Sequence, residues 1–130
     1  MAIDVDRSRS GELIEFGERG SKTSGRIAIQ SRLTQAVESG AGEVMAQSVK
    51  ADGNLEGPDS EVADLLRELA VPTIYGGGIA SGDDMRSVFG MGVDAVAVGA
   101  HFVFYGPHRA VLITYPTRDE LAGIGVVDEP

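Results

Sequence analysis

Residues 72–84, PTIYGGGIASGDD, carry the clearest structural signal in the sequence. A short apolar run ends in three glycines, and Ser81 then precedes Asp83 and Asp84, a pattern typical of a helix start. An apolar run that leads through glycines into a helix is typical of one βα unit. The stretch therefore predicts a strand and a helix joined by an open loop at the carboxyl end of the strand.

The same arrangement recurs along the chain. Apolar runs also occupy residues 1–5, 43–49 and 94–99, and each ends in a polar or glycine-rich loop. The runs at 43–49, 72–77 and 94–99 are continuous rather than alternating, as in strands that are buried on both faces. Helical patterns separate the runs, and Ser60 is the expected N-cap of the second helix. This alternation predicts an α/β fold with a parallel sheet.

Two segments depart from that alternation. Residues 11–27 are predicted to form a β-hairpin insertion, and the C-terminal segment 101–130 is too apolar at its start for a solvated tail. Within that segment, residues 117–120 read as a capped helix start. At 130 residues the whole chain, 1–130, is expected to form a single domain.

Composition excludes several classes of partner. Lys and Arg number 11 against 20 Asp and Glu, and the resulting charge of −9 argues against nucleic acid or an anionic membrane as the main partner. Without cysteine there is neither a disulfide nor a thiolate metal site, and His101 and His108 lack metal-ligand spacing. No metal or cofactor is therefore predicted. No apolar run reaches membrane-spanning length, and the expected location is the cytoplasm.

Ligands of parallel βα folds bind at the carboxyl ends of the strands, so the loops that follow the predicted strands are the candidate site. Glycines there let backbone N–H groups approach a phosphate. Two neighbouring strand ends carry such small residues: Gly77 and Gly78, and Gly99 and Ala100. The alternative for each loop is a tight turn without a ligand, but two adjacent small-residue loops favour phosphate binding.

Two aspartates lie at the same predicted edge. Asp52 precedes Gly53, so it is either a turn residue or a carboxylate that faces the ligand. Asp4 ends the first apolar run, so it is either a capping residue or an acid–base group. Each aspartate taken alone favours the structural interpretation.

These segments in this order resemble the C-terminal half of the cyclase subunit of imidazole glycerol phosphate synthase. The resemblance covers about residues 2–104 and is carried by AID, SKTSG, SGAGEVMAQSVKADGNLEGPDSE, PTIYGGGIASGDDM and GVDAVAVGAHF. In that family a (βα)8 TIM barrel takes ammonia from a glutaminase subunit. It then cyclises a bis-phosphorylated formimino-ribonucleotide, a lyase-type step of histidine biosynthesis. The resemblance implies a (βα)4 half-barrel here, with a phosphorylated ribonucleotide or sugar as ligand and a possible glutaminase partner.

The resemblance also implies roles for individual residues. Asp4 matches a catalytic aspartate, and Asp52 lies in the substrate loop beside it. The other matches are Ser48 and Gly53 of that loop and Gly77, Gly78, Gly99 and Ala100 of the phosphate cradle. The family's loop usually reads Ser-Ile-Asp-Arg-Asp-Gly, whereas here it reads SVKADG. Residues 101–121 resemble instead the paralogues that are linked to amidation of surface-polysaccharide sugars.

A half-barrel leaves sheet edges and an inner face uncovered. We therefore expect a homodimer, in which two copies close head to tail into an eight-stranded barrel with a central two-fold axis. Asp4 of each copy would then rebuild a pair of catalytic aspartates. The alternatives are a non-catalytic half-barrel that binds phosphate or self-assembles, a subunit of a glutamine-dependent sugar amidation system, and a gene fragment whose other half is encoded elsewhere.

Overall fold

The computed structural model describes residues 1–16 and 25–125. Strands and helices alternate along most of that range, as expected for βα units. The strands are β1 (Ala2–Arg7), β2 (Leu13–Phe16), β3 (Val44–Ser48), β4 (Thr73–Gly76), β5 (Ala95–Ala97), β6 (Phe104–Tyr105) and β7 (Ala110–Val111). The helices are α1 (Arg26–Glu38), α2 (Ser60–Asp64), α3 (Gly82–Gly90), α4 (Ala100–Val103) and α5 (Arg118–Gly123).

The main sheet has the order β2-β1-β3-β4-β5. Strands β1, β3, β4 and β5 run parallel, and β2 pairs antiparallel with β1 at one edge. The parallel strands coincide with the apolar runs to within two residues at each end. The predicted α/β class with a parallel sheet is confirmed.

Of the segment predicted as a hairpin insertion, residues 11–27, the structure describes residues 11–16 and 25–27. Strand β2 pairs with β1, with Asp4 opposite Phe16 and Arg7 opposite Leu13, and residue 26 already belongs to α1. The physical reason is the open edge of β1, which supplies main-chain partners for β2 while Leu13 becomes buried. Residues 17–24, which include most of the SKTSG motif, lie outside the described residues.

Helices cover one face of the parallel sheet. Buried side chains of β1, β3 and β4 form one cluster with Ile29 and Leu33 of α1, Val62 of α2 and Met85 and Val88 of α3. The sheet members of this cluster are Ile3, Val5, Val44, Ala46 and Tyr75. Their alternation along each strand follows from the two-residue period of β-structure.

The intervening side chains lie on the opposite face of the sheet, which we call the inner face. The register of the strands arranges them in two rows, Ala2–Met45–Ile74–Ala95 and Asp4–Gln47–Gly76–Ala97. Ala2, Asp4 and Ala95 are exposed. Of the three runs expected to be buried on both faces, β3 and β4 have partly or fully buried inner-face residues, whereas Ala95 of β5 is exposed because no described helix covers this face. The small and apolar residues of the runs therefore lie both on the inner face and on the face that packs against the helices.

Two of the three helix starts predicted from capping residues have the expected N-cap in the structure. Ser81 caps α3, and Thr117 and Glu120 form a capping box at α5. The cap of α2 is Asp59 rather than Ser60, since the Asp59 carboxylate accepts hydrogen bonds from the backbone N–H groups of Glu61 and Val62.

Of the C-terminal segment, residues 101–125 are described; Ile124 belongs to the core cluster, and Phe102 and Leu121 pack against it. The segment contains α4, the two-stranded β6–β7 hairpin and α5, and Arg86 of α3 donates to the carbonyl of Gly123 at 2.9 Å. This contact ties α5 to the helical layer. Within the described residues, no helix has the length and apolarity needed to cross a membrane.

Candidate functional site

Three loops meet at the carboxyl edge of the parallel sheet and enclose a small cavity. Six residues predicted for the site line it: Asp52, Gly53, Gly77, Gly78, Gly99 and Ala100. Leu55, Ile79 and Ala97 complete the wall. We call this space the edge cavity. Its volume is about 10 Å³, which is room for about one water molecule.

Two of the glycines are required by packing of the loops themselves. A Cβ atom on Gly77 would lie 2.6 Å from the carbonyl oxygen of Ser48, and one on Gly78 would lie 2.1 Å from that of Gly57. Both also have positive φ, +109° and +80°. The tight-turn interpretation therefore accounts for Gly77 and Gly78 without any ligand.

Gly99 is different. No heavy atom lies within 4 Å of its ideal Cβ position, and its φ of −109° is open to any residue. Packing therefore does not explain a glycine there. The open space beside Gly99 is what a ligand in the edge cavity would need.

Ser48 lies behind the wall of the edge cavity. It is buried beneath Gly77, and its carbonyl oxygen accepts a hydrogen bond from the backbone N–H of Asp52 at 3.0 Å. Ser48 therefore supports the loop that carries Asp52 and does not itself line the cavity.

Asp4 lies within β1 and not at its end, because the strand continues to Arg7. A capping role is therefore excluded. Asp4 is exposed on the inner face, directly opposite Gln47 of β3 in the register. The Gln47 amide Nε2 donates to Asp52 Oδ2 at 3.1 Å. Gln47, which the sequence alone does not single out, thus stands between the two carboxylates.

An ionic cluster beneath the loops was also not predicted. Arg7 Nε and Nη2 donate to the two carboxylate oxygens of Asp59 at 2.8 and 2.7 Å, and Nη2 also reaches Glu61 at 3.0 Å. The backbone N–H of Asp59 donates to the Tyr75 hydroxyl at 2.8 Å. The cluster joins the end of β1 to the start of α2 and to β4. Since its members are far apart in sequence, no local pattern could have found it.

Three pKa values in this cluster depart from their ordinary ranges, and that of Arg7 is raised by its hydrogen bonds to Asp59 and Glu61. Burial acts to raise the pKa of Asp59, but the hydrogen bonds and charge of Arg7 outweigh it and hold that pKa below its usual value. Burial raises the pKa of Tyr75 to about 12, so its hydroxyl stays protonated at physiological pH. The cluster is therefore an ionised Arg–Asp pair beside a neutral tyrosine.

Replacing Arg7 with leucine should lower the free energy of unfolding by about 2 kcal/mol at pH 7, because Asp59 would lose its partner while largely buried. The pKa of Asp59 is depressed in the folded state, so its stabilising contribution is present above the unfolded pKa of about 4 and is lost as pH falls through the lower folded pKa. The variant should therefore lose less stability than wild type on acidification. Urea unfolding at several pH values measures both effects.

Arg67→Leu is the matched control for that experiment. The Arg67 side chain is 58% exposed and contacts Asp64 and Glu68 at the surface, so we expect a loss below about 0.5 kcal/mol. Equal losses for the two variants would show that the Arg7–Asp59 pair has no special weight.

A parallel sheet with helices on one face and small-residue loops at its carboxyl edge places the chain among proteins of the (βα)-barrel class. Residues 1–108 match the family model described as "Histidine biosynthesis protein". The chain belongs to this family, whose fold is the TIM barrel. The predicted relationship to the imidazole glycerol phosphate synthase cyclase is confirmed at this level.

Individual relatives agree with the family match. The chain is 38% identical over 123 residues to the putative imidazole glycerol phosphate synthase subunit HisF of Leptospira interrogans, and 37% identical over 123 residues to the putative subunit hisF2 of Pseudomonas aeruginosa. Each alignment covers 92% of this chain and 48% of the relative. Identity to the HisF subunit of Exiguobacterium sibiricum is 32%, over 95% of this chain and 48% of that protein. The chain thus spans about half the length of these relatives.

Proposed function

We propose that this chain is a half-barrel cyclase unit that binds a phosphorylated ribonucleotide or sugar at the carboxyl edge of its sheet. As a homodimer it would catalyse an ammonia-dependent cyclisation of the histidine-biosynthesis type. One observation carries the proposal: Asp4 lies exposed on the inner face, in the row that leads through Gln47 to Asp52 and the edge cavity. Two carboxylates near the edge cavity suit acid–base work, and the cavity, which has room for about one water molecule, would have to widen to admit a phosphorylated substrate.

A second copy is the occupant that best fits the inner face. The family's barrel is about twice the length of this chain, and a unit of the same size and curvature would complete it. The inner face offers Met45 and Ile74 for burial, and the outer edge of β5 has no strand partner among the described residues. Both features favour closure by another βα half.

Strand β2 limits how the two copies can join. It occupies the outer edge of β1 from Asp4 to Arg7, so a partner's β5 would pair with β1 only along residues 1–3. The backbone seam is therefore short. Burial of the inner face must then supply most of the association free energy, in agreement with its apolar row.

A charged residue on the inner face should separate the copies. We expect wild type to be a dimer in light scattering and Ile74→Lys to be a monomer, since Ile74 lies at the centre of the apolar row. Ile27→Lys is the matched control, because Ile27 lies on α1 with 84% of its surface exposed. A monomeric wild type would overturn the dimer, and a dimer that persists in Ile74→Lys would place the interface elsewhere.

The activity is tested directly with ammonia and the family's bis-phosphorylated substrate, while phosphate binding is followed by calorimetry. Turnover and binding together support the proposal. The second candidate function, a non-catalytic phosphate-binding half-barrel, predicts binding without turnover. It is favoured by the substrate loop, where Lys50 is exposed and Ala51 packs towards Gly78 instead of carrying a family side chain.

The ammonia source and the pathway belong to the same proposal. The relatives are named as subunits, and a glutaminase-type partner would supply ammonia to the barrel. Sugar amidation is the second candidate pathway, because residues 101–121 resemble the sugar-amidation paralogues. Turnover with each class of substrate separates the two. Either pathway would place the protein in the cytoplasm, where phosphorylated metabolites are made.

A further inference from the structure

The β6–β7 hairpin carries an arginine back to the candidate site. The chain leaves the edge cavity at Gly99 and Ala100, passes through α4 and turns between β6 and β7. At the end of that turn, Arg109 Nη2 donates to the carbonyl oxygen of Gly53 at 2.5 Å. Gly53 lines the edge cavity together with Gly99 and Ala100, so Arg109 contacts a residue of the cavity wall.

The position of Arg109 is held from several directions. Its guanidinium lies 4.7 Å above the ring centre of Phe104, a cation–π contact. Its backbone N–H donates to Gly106 at 3.0 Å, and the N–H of Leu112 donates to Val103 at 2.9 Å, which closes the hairpin. The contact with Gly53 is thus the end point of an ordered element.

Backbone strain is concentrated at the same place. In the described part of the chain, two residues other than glycine have positive φ: Leu55 at +58° and Arg109 at +49°. Leu55 lines the edge cavity, and Arg109 contacts its wall. Strained conformations of this kind persist where the surrounding structure holds them, and they cluster at ligand sites.

The charge of the edge cavity is the third observation. Of the residues that line it, the ionisable one is Asp52, whose negative charge opposes an anion. The chain as a whole is also acidic, at −9. Arg7, the other arginine near the strand ends, is already bound to Asp59 and Glu61. Lys50, two residues before Asp52, is exposed and does not line the cavity. A cation that neutralises an anion in this cavity would therefore come from outside its lining residues.

We propose that Arg109 supplies that cation and binds a phosphate monoester directly. In the structure described here its guanidinium rests on Gly53, and the cavity has room for about one water. On binding, the guanidinium leaves the Gly53 carbonyl, the loop opens, and the fork of N–H donors holds two phosphate oxygens. This inference rests on the proposed phosphate site and identifies the residue that neutralises its ligand.

Calorimetry with inorganic phosphate at low ionic strength tests the proposal on the full chain. Arg109→Leu should bind phosphate about 10- to 100-fold more weakly than wild type, the usual effect of losing a charge-assisted hydrogen bond. Arg67→Leu removes the same charge but should bind phosphate like wild type. Arg67 lies beside Gly92, at the end of the sheet opposite the cavity. Circular dichroism checks that each variant is folded.

Arg109→Lys keeps the charge and covers the case in which the leucine variant does not fold. It should bind several-fold more weakly than wild type, because an ammonium lacks the planar fork. If wild type and the Arg109 variants bind phosphate with equal affinity, the role of Arg109 is overturned and the proposed phosphate site remains. Absence of binding by wild type would overturn both.

Discussion

Alanine at position 78 should leave the protein unfolded or lower its free energy of unfolding by more than about 3 kcal/mol. The new Cβ would lie 2.1 Å from the carbonyl oxygen and 2.9 Å from the carbonyl carbon of Gly57. These are backbone atoms, and the Gly57 N–H is already bound to the Gly78 carbonyl at 3.0 Å. Neither loop can yield without breaking that bond, and the φ of +80° adds strain for any side chain.

Gly90→Ala is the control for this substitution. Gly90 ends α3, its φ is not positive, and no heavy atom lies within 4 Å of the ideal Cβ position. Alanine there should be neutral or should stabilise the protein by up to about 1 kcal/mol. Urea unfolding followed by circular dichroism compares the two. A Gly78→Ala variant as stable as Gly90→Ala would mean that the close approach of the two loops is not a feature of the folded protein.

The packing of Gly78 affects how binding data on the site should be interpreted. Loss of phosphate binding in a Gly78 variant would reflect a disrupted loop and would say nothing about a ligand. Position 99 is better suited to that question, because a side chain there meets open space at the edge cavity. The two glycine pairs of the predicted cradle are therefore not equivalent.

Local sequence signals were sufficient for the strands and most helix starts. A run such as residues 72–77 combines apolar composition with a glycine stop, and the cap at Ser81 lies within three residues of the group that it binds. The placement of Asp52, Gly77 and Gly99 around one cavity followed from a topological rule, since the carboxyl ends of parallel strands share one edge.

Contacts between distant residues could not be predicted in the same way. The pairing of β2 with β1 depended on which edge was open, and the Arg7–Asp59 pair joins residues 52 positions apart. Gln47 gains its place between Asp4 and Asp52 only from the strand register. Arg109 contacts Gly53, 56 positions away in sequence, and no local pattern around either residue indicates this contact. In each case the missing information was tertiary.

Asp4→Asn should reduce ammonia-dependent turnover by about 10²- to 10⁴-fold while phosphate affinity stays at the wild-type value. Asparagine matches aspartate in size but neither takes up nor releases a proton. The β1 ladder uses the backbone of residue 4, and its side chain is exposed on the inner face, so the fold should be unaffected. Steady-state kinetics and calorimetry on the same preparations measure the two quantities.

Asp6→Asn provides the control on the same strand. The Asp6 carboxylate accepts a hydrogen bond from the adjacent backbone N–H of Arg7 at 2.7 Å, and it lies one step further along the inner side of β1. Its replacement should change turnover by no more than a few-fold. Similar losses in both variants would indicate a general effect of charge on the inner face and would remove the specific role of Asp4.

Mixed dimers separate a paired role of Asp4 from a single one. If both copies contribute an aspartate to one site, only wild-type pairs turn over, and an equal mixture should retain about one quarter of the activity after subunit exchange. If one aspartate suffices, the same mixture should retain about three quarters. The first value ties the chemistry to the two-fold axis, because a symmetric barrel presents both Asp4 side chains to its centre. The second would mean that one Asp4 is enough in a shared site, and retention of about one half would indicate a separate site in each copy.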